Sequence, residues 1–350
     1  MQLSPLASSQ ARRGRAAFDR ALGPLRQYLE RAGVYNVNAN PDGRIFVEER
    51  GRGKYEAPET MTEVEREALI GILANETQTG PISRLSSRLA FDAPYGYDAR
   101  GQAFCAPVGP GWPLMLRNHA TAVIPFDSYT VGRSRPRARE PICVATVQEG
   151  VREAIRRRWN IQVAGPQNSG KSTLLSSLMA EAAIVRPEAR LIVVQDRDEL
   201  RVSHRDHVKL FARVPQKRYE HDGSAVVYTY DFCDLLEDVL RTTADFYVFG
   251  ELRDSLSAVG LLMASNTGAR GLMSTIHADS ALDALYRVEA LLGTAPKATF
   301  AQAPREMIAR FVDLVVFVDY DESTRERWIS DAQHVRGVQG GEYVLESIVA

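Results

Sequence analysis

Residues 165–172 read Gly165-Pro166-Gln167-Asn168-Ser169-Gly170-Lys171-Ser172, which satisfies GxxxxGK[ST], and they stand between an apolar run and a stretch of helical periodicity. That context gives the spacing a chemical meaning. Successive backbone N–H groups and the first turn of a helix cradle phosphate oxygens, Lys171 reaches the β and γ phosphates, and the Ser172 hydroxyl coordinates Mg²⁺, with Thr173 completing the set. Binding a nucleotide is not hydrolysing it, so groups that hold metal and orient water are needed as well. Asp196 follows the run LIVV and Glu251 follows FYVF, both at the expected carboxyl ends of parallel strands, where the ligand crevice of such a sheet opens. His277, in STIHAD, follows LMSTI at the same edge. A donor there, at the γ-phosphate end, would distinguish ATP from ADP and pass the difference to neighbouring elements.

The elements that must position these groups follow from periodicity. Apolar runs at Ile161 to Ala164, Leu191 to Val194, Phe246 to Phe249, Leu272 to Ile276 and Val312 to Val318 alternate with helical patterns at Lys171 to Ala183, Phe232 to Arg241, Leu256 to Ala264 and Leu282 to Leu292. Such alternation predicts βαβ units and a parallel sheet, that is, an α/β nucleotide-type domain over 142–350. A smaller α+β domain is expected over 17–130. Its signals are Leu22, Leu25 and Leu29 at helical spacing, an Asn40-Pro41-Asp42-Gly43 turn, a strand at Arg44 to Glu48, and a capping box at Thr62 and Glu65 that opens a helix with Val64, Ala68, Leu69, Ile72 and Leu73 as its apolar stripe. The polar, arginine-rich residues 1–16 read as a disordered tail, and VGRSRPRAREP, residues 131–141, as a linker.

Composition excludes several classes. The chain has 350 residues, 43 basic against 44 acidic side chains, and 45% hydrophobic residues, within the range of ordinary globular proteins. The longest apolar runs fall far short of the roughly 18 residues of a membrane span, and the N-terminus lacks the apolar segment of a secretory signal. Cys105, Cys143 and Cys233 are widely spaced, which suggests neither a disulfide framework nor a metal site. A net charge of −1 implies no global attraction to nucleic acid, although eight arginines against three glutamates cluster between Arg133 and Arg158. That cluster reads as a connector plus the exposed end of a helix; a nucleic-acid motor is the less favoured alternative, since no aromatic residues interleave the arginines.

The ordered set GPQNSGKS, VVQDRDEL, VLRTTADFYVFGELRD and NTGARGLMSTIHADSALDAL resembles the Walker A motif, Asp box, Walker B motif with catalytic glutamate, and His box of the bacterial traffic ATPases of type IV secretion, type II secretion and pilus assembly. LRQYLERAGVYNVNANPDGRIFVEE and GVQGGEYVL are most similar to the conjugal-transfer subgroup of the TrbB type. The resemblance covers about residues 22–346. It implies a RecA-like P-loop ATPase domain behind an N-terminal domain that closes over ATP and Mg²⁺, a homo-oligomer that is a ring of six, inner-membrane components of a conjugation, secretion or pilus machine as partners, and a cytoplasmic place peripheral to that membrane. No sequence-specific nucleic-acid binding is implied. Arg117, in LMLRNHA, matches the family's N-domain arginine that reaches the phosphates, and Arg253 matches the arginine after the Walker B glutamate; both would stabilise transition-state charge. Ser172, Asp196 and Glu251 would hold the metal. The chain departs from the family at Gln195-Asp196-Arg197 where Glu-Asp-Thr is usual, at Ala269 where a histidine is usual, and at Pro166 and Asn168 where glycine is common. Gln195 cannot act as a base, so a nucleotide-binding scaffold with weak turnover is the second reading.

Overall fold

A computed structural model describes residues 5–77, 82–84, 86–118, 140–212, 215–219, 225–229, 232–266, 268–294 and 304–349. The chain divides into two compact units, one made of Met1–Val131 with Val214–Thr229 and Arg241–Thr243, the other of the remainder. The linker expected at 131–141 lies outside the described residues except at its last two positions, and so do the arginines at 133, 135, 137 and 139.

The first unit opens with α1 (Pro5–Leu22), a turn of 3-10 helix (Gly23–Leu25) and the short α2 (Arg26–Leu29). The tail expected over 1–16 is therefore helical from Pro5 onward. Arginine and alanine are good helix formers, and Phe18 and Leu22, one helical turn apart, anchor the helix in the core at 1% exposure each. Strands β1 (Val34–Ala39), β2 (Arg44–Glu49) and β3 (Gly53–Thr60) precede α3 (Glu63–Glu76), and β4 (Arg88–Asp92), β5 (Ala99–Phe104) and β6 (Leu114–Asn118) follow it. They form one antiparallel sheet in the order β3-β2-β1-β6-β5-β4.

The capping box of α3 is present as predicted, Thr62 accepting from the Glu65 amide while the Glu65 carboxylate accepts from the Thr62 amide. Of its predicted apolar stripe, Leu69 and Leu73 are buried and Ile72 packs against the core, but the stripe is rotated at its start. Val64 and Ala68 face solvent, and the buried face is Arg66, Leu69, Ile70, Leu73 and Ala74. An arginine can take a core position here because carbonyl oxygens receive it: Arg66 donates to Pro41 at 2.7 Å, to Gly111 at 2.8 and 3.1 Å, and to Met61. The turn before β2 is held in the same place. Gly43 has φ +90°, and a Cβ on it would lie 2.9 Å from the Met61 carbonyl oxygen, so no larger residue fits.

The second unit runs α4 (Val147–Arg156), β7 (Ile161–Gly165), α5 (Lys171–Val185), β8 (Leu191–Gln195), β9 (His207–Phe211), the ribbon β10 (Pro215–Tyr219) and β11 (Ala225–Thr229), which clusters with the first unit, then α6 (Phe232–Leu240), β12 (Phe246–Phe249), α7 (Ser255–Asn266), β13 (Leu272–His277), α8 (Ala281–Gly293), α9 (Pro304–Phe311), β14 (Leu314–Tyr320), β15 (Arg327–Gln339) and β16 (Glu342–Ser347). Its sheet has the order β16-β15-β14-β7-β13-β12-β8-β9; the six strands from β14 to β9 are parallel, and β15 and β16 add an antiparallel edge. Fold class is thus as expected, α/β with a parallel sheet beside a smaller α+β unit. Helix α4 is the helix whose exposed end the arginine cluster marked. Thr146 caps it, Val151, Ala154 and Ile155 are buried, and Arg152, Arg156 and Arg157 pair with Glu181 and Glu153. Among the described residues no helix is long and apolar enough to cross a membrane, and Cys105 and Cys143 are free thiols.

One side chain ties together the amino-terminal ends of the three central strands. The Asn160 amide N–H donates to Asp313 at 2.9 Å, its Nδ2 donates to the Phe311 carbonyl at 2.8 Å, and its Oδ1 accepts from the Leu272 amide at 3.0 Å. Asn160 is 4% exposed and Asp313 0%, so each bond is made out of water. Asn160→Ala leaves the Leu272 donor and the Phe311 acceptor unpaired and is expected to cost about 1–3 kcal/mol. A lowered urea midpoint checks this, with Val64→Ser, on the exposed face of α3, expected to stay within about 0.5 kcal/mol of the parent.

Candidate functional site

Parallel register delivers the site. Gly165 at the end of β7 pairs with His277 at the end of β13, and Phe249 of β12 stands opposite both Ser274 of β13 and Val194 of β8. The loops that leave β7, β8, β12 and β13 therefore start at one edge of the sheet, the carboxyl edge where ligands of open α/β sheets bind.

The loop after β7 is shaped by close approach. A Cβ on Gly165 would lie 2.3 Å from the Val318 carbonyl oxygen and 2.7 Å from Ser169 Oγ, so only glycine lets the chain leave β7 beside β14. Gly170 has φ +90° at the N-cap of α5 and brings no side chain to cap the first-turn amides, which leaves them to a phosphate. Asn168 takes φ +63°, the left-handed region that asparagine tolerates, so it does the work of a glycine there. Ser169 is fully buried, and its hydroxyl has no hydrogen-bond partner among the described residues. A glycine-bounded cradle, an orphaned buried hydroxyl and a buried ammonium form a donor set that fits phosphate.

From the ammonium a chain of side chains leads to the acids. Lys171, 7% exposed, donates to the Pro166 carbonyl at 2.6 Å and stands 3.1 Å from His277 Nδ1. His277 Nε2 is 3.0 Å from Glu251 Oε1, and the other oxygen of Glu251 accepts from Arg253 Nε. Arg253 in turn reaches Asp196 at 3.8 Å. An ammonium only donates and a carboxylate only accepts, so the imidazole between them is neutral, with its proton on Nε2 and a lone pair on Nδ1. Burial and the Lys171 charge both hold the His277 pKa below its ordinary value of 6.5, against the pull of Glu251. Burial likewise lowers Lys171, and Glu251 opposes it. The loop that carries Glu251 is braced: the Thr275 hydroxyl donates to the Gly250 carbonyl at 2.6 Å, the Leu252 amide to Thr275 at 2.9 Å, and the Gly250 amide to Val194 at 2.9 Å.

Ser172, Asp196 and Glu251, the residues expected to hold Mg²⁺, line a cavity of about 160 Å³ together with Gln195 and Arg253. Among the described residues no group of three or more His, Cys, Asp or Glu could hold a metal ion. A hydroxyl and one or two carboxylates suit Mg²⁺ that arrives with a nucleotide and takes its other ligands from phosphate and water. Gln195, which departs from the family pattern, has another task. Its Oε1 accepts from the Glu199 and Leu200 amides at 3.2 and 3.1 Å, and its Nε2 donates to Asp198 at 3.2 Å, so it folds the loop after β8. A carboxylate there would oppose Asp198; the amide does not.

Six of the sequence-predicted residues, Lys171, Ser172, Asp196, Glu251, Arg253 and His277, are thus brought together with the loop. Arg117 belongs to the first unit, an exposed residue of β6 opposite Asn36 and Arg100. Ala269, the departure from the usual histidine, is half-buried in the segment before β13. Sequence reasoning missed Thr275 and also Tyr320, Arg325 and Arg327, which line an opening of about 490 Å³ with Gln167, Lys171, Thr173 and His277. No motif marks these last three; β14 becomes a neighbour of the loop only because it pairs with β7.

The fold and this edge define a RecA-like P-loop domain of the two-unit secretion ATPase type. Residues 144–335 match the family model described as Type II/IV secretion system protein, and the chain belongs to that family. It is 30% identical to the conjugal transfer protein TrbB of Rhizobium radiobacter over 91% of this chain and 88% of that one, and 24% identical to protein VirB11 of Agrobacterium fabrum over 84% and 87%. The crystal structure of the VirB11 ATPase from the Brucella suis type IV secretion system shares the fold, with a TM-score of 0.75 at 22% identity over 93% of this chain and 96% of that one.

The neutral bridging histidine gives a titration test. His277 is expected to gain its proton below pH 6.5, moving further down in Glu251→Gln, which removes the pull toward the charged form, and up in Lys171→Ala, which removes the repulsion. Because the folded chain resists a proton that the unfolded chain accepts, the contribution of this group to stability is present above about pH 6.5 and falls as pH drops below it. Imidazole chemical shifts followed by NMR against pH in the three proteins check the order of the midpoints.

Proposed function

We propose that the chain is a Mg²⁺-dependent ATPase that works as a ring, with six subunits by family analogy, and powers conjugative DNA transfer or type IV secretion from the cytoplasmic side of the inner membrane. The observation that carries the reading is the contact chain from Lys171 through His277 to Glu251 at the mouth of the phosphate loop. Family membership and the named relatives supply the apparatus. In this reading Lys171 and the amides of Gly170 to Thr173 hold the phosphates, and Ser172 and Asp196 hold Mg²⁺, which neutralises phosphate charge when bound. Water attacks the γ phosphorus, the bond to the ADP oxygen breaks, and Glu251 orients the water and takes its proton. Arg253, and Arg117 from the first unit, stabilise the charge that develops on the phosphoryl oxygens.

Glu251 begins with both oxygens engaged, one by His277 and one by Arg253. Phosphate drawn to Arg253 loosens one hold on the acid, and phosphate drawn to Lys171 frees His277 Nδ1, so His277 senses whether a γ phosphate is present. Phosphate release from Mg²⁺-ATP, with mass measured under the same conditions, tests the proposal. Wild-type protein is expected to assemble and turn over, Lys171→Ala to lose nucleotide binding, and Glu251→Gln to bind ATP while losing about 10²–10⁴-fold in rate. ATP binding by an assembled ring with no release above the Glu251→Gln background would replace the motor with a nucleotide-binding scaffold, the second reading, drawn from Gln195 and Ala269.

A further inference from the structure

A nucleotide has a phosphate end and a nucleoside end, and the strand order separates the two around the loop. Strand β7 lies between β13 and β14. On the β13 side stand His277 and, beyond it on the loops after β12 and β8, Glu251 and Asp196; the Lys171 ammonium is turned that way, 3.1 Å from His277. The terminal phosphate belongs on that side, so the nucleoside leaves on the other, past β14.

What waits there is a turn held in one shape. The Asp321 carboxylate accepts from the Ser323 amide at 2.7 Å, the Ser323 hydroxyl at 2.6 Å and the Thr324 amide at 3.1 Å, and the Arg325 amide donates to the Asp321 carbonyl at 2.9 Å. The turn joins Tyr320, the last residue of β14, to Arg327, the first of β15. The Arg327 guanidinium carbon sits 4.7 Å from the centre of the Tyr320 ring, and its Nε donates to the Asn168 carbonyl of the phosphate loop at 3.1 Å. Gly170 leaves room for this approach, since a Cβ on it would lie 3.0 Å from Arg327 Cδ. Among the described residues neither Arg325 nor Arg327 is paired with a carboxylate, and both line the opening around the loop with Tyr320.

We propose that Tyr320, Arg325 and Arg327 form the nucleoside wall of the site and determine its preference for a nucleoside triphosphate over bare triphosphate. The guanidinium of Arg327, carried on Tyr320, is a platform on which a base can stack, and the two arginines supply charge to the phosphate nearest the ribose. The proposal rests on the nucleotide-binding reading above.

Calorimetric titration with Mg²⁺-ATP and, separately, with Mg²⁺-tripolyphosphate tells the two apart. Tyr320→Ala is the deciding variant because it removes no charge: it is expected to weaken ATP about tenfold and to leave tripolyphosphate within about twofold. Arg327→Ala should weaken ATP more than tripolyphosphate, and Arg327→Lys, which keeps the charge but not the plane, should not restore ATP. Retained tripolyphosphate binding shows that each variant is folded. Equal losses on both ligands would mean that the turn only braces the loop, and unchanged ATP binding would remove it from the site; either overturns the proposal. If wild-type protein binds neither ligand, the nucleotide-binding reading itself falls, and the wall with it. If it binds both and Lys171→Ala binds neither, that reading stands whatever the turn variants do.

Discussion

The pairing of β7 with β13 on one side and β14 on the other is the constraint on which the rest of the second unit depends. Parallel pairing in a fixed register sets the height at which each strand ends, and Gly165 level with His277 puts the phosphate loop beside the histidine. A slip of one residue would turn every side chain of the strand to the opposite face. Asn160 opposes such slippage from the far end, where its single side chain bonds to the chain on both sides of β7. The same edge carries a second polar layer, in which Arg190 pairs with Asp206 while its amide bonds to Asp245. Structural polar groups thus gather at the amino edge of the sheet, and the groups with unused chemical capacity gather at the carboxyl edge.

Charge at that carboxyl edge alternates. Lysine, neutral histidine, glutamate, arginine and aspartate follow one another in contact, so each ion faces an opposite charge or a dipole. Such an arrangement is stable without ligand and poised to reorganise with one. In the proposed reading a phosphate would compete for Lys171 and Arg253 at once, and its contacts would release the hold of the lysine on the histidine and that of the arginine on the glutamate. The neutral state of His277 matters to this response, because a charged imidazole would repel Lys171 and lose its acceptor.

The arginines of this chain do several kinds of structural work, which is why their density misleads. Arg66 is buried and satisfied by carbonyl oxygens. Arg152 and Arg156 of α4 and Arg157 at its C-cap pair with glutamates on that helix or the neighbouring one, and Arg158 lies 3.7 Å from Asp245. A cluster that could have followed a nucleic-acid backbone is therefore largely neutralised within the unit, at least in its described half. Among the described residues Arg325 and Arg327 differ in having no such carboxylate.

Much of the second unit was legible in the sequence, because its chemistry and its strands are local signals. The phosphate loop needs glycine at two points where a Cβ would collide or φ is positive, and the buried parallel strands need short runs of apolar residues. Hence β7, β8, β12 and β13, the helices behind them, and Lys171, Asp196, Glu251 and His277 could all be named from residue type and spacing. Elements whose burial depends on distant partners could not. Helix α1 is held by Phe18 and Leu22 within an arginine-rich segment, the buried face of α3 takes in an arginine that three carbonyl groups satisfy, and the packing partner of α4 is Ile348 from the far end of the chain. The place of Thr275 and of the Tyr320–Arg327 turn beside the loop was likewise out of reach, since each depends on which strand lies beside which, and no motif announces that Gln195 folds its own loop. Local sequence determined the chemistry this chain carries. Strand order, set by nonlocal pairing, decided which residues meet it.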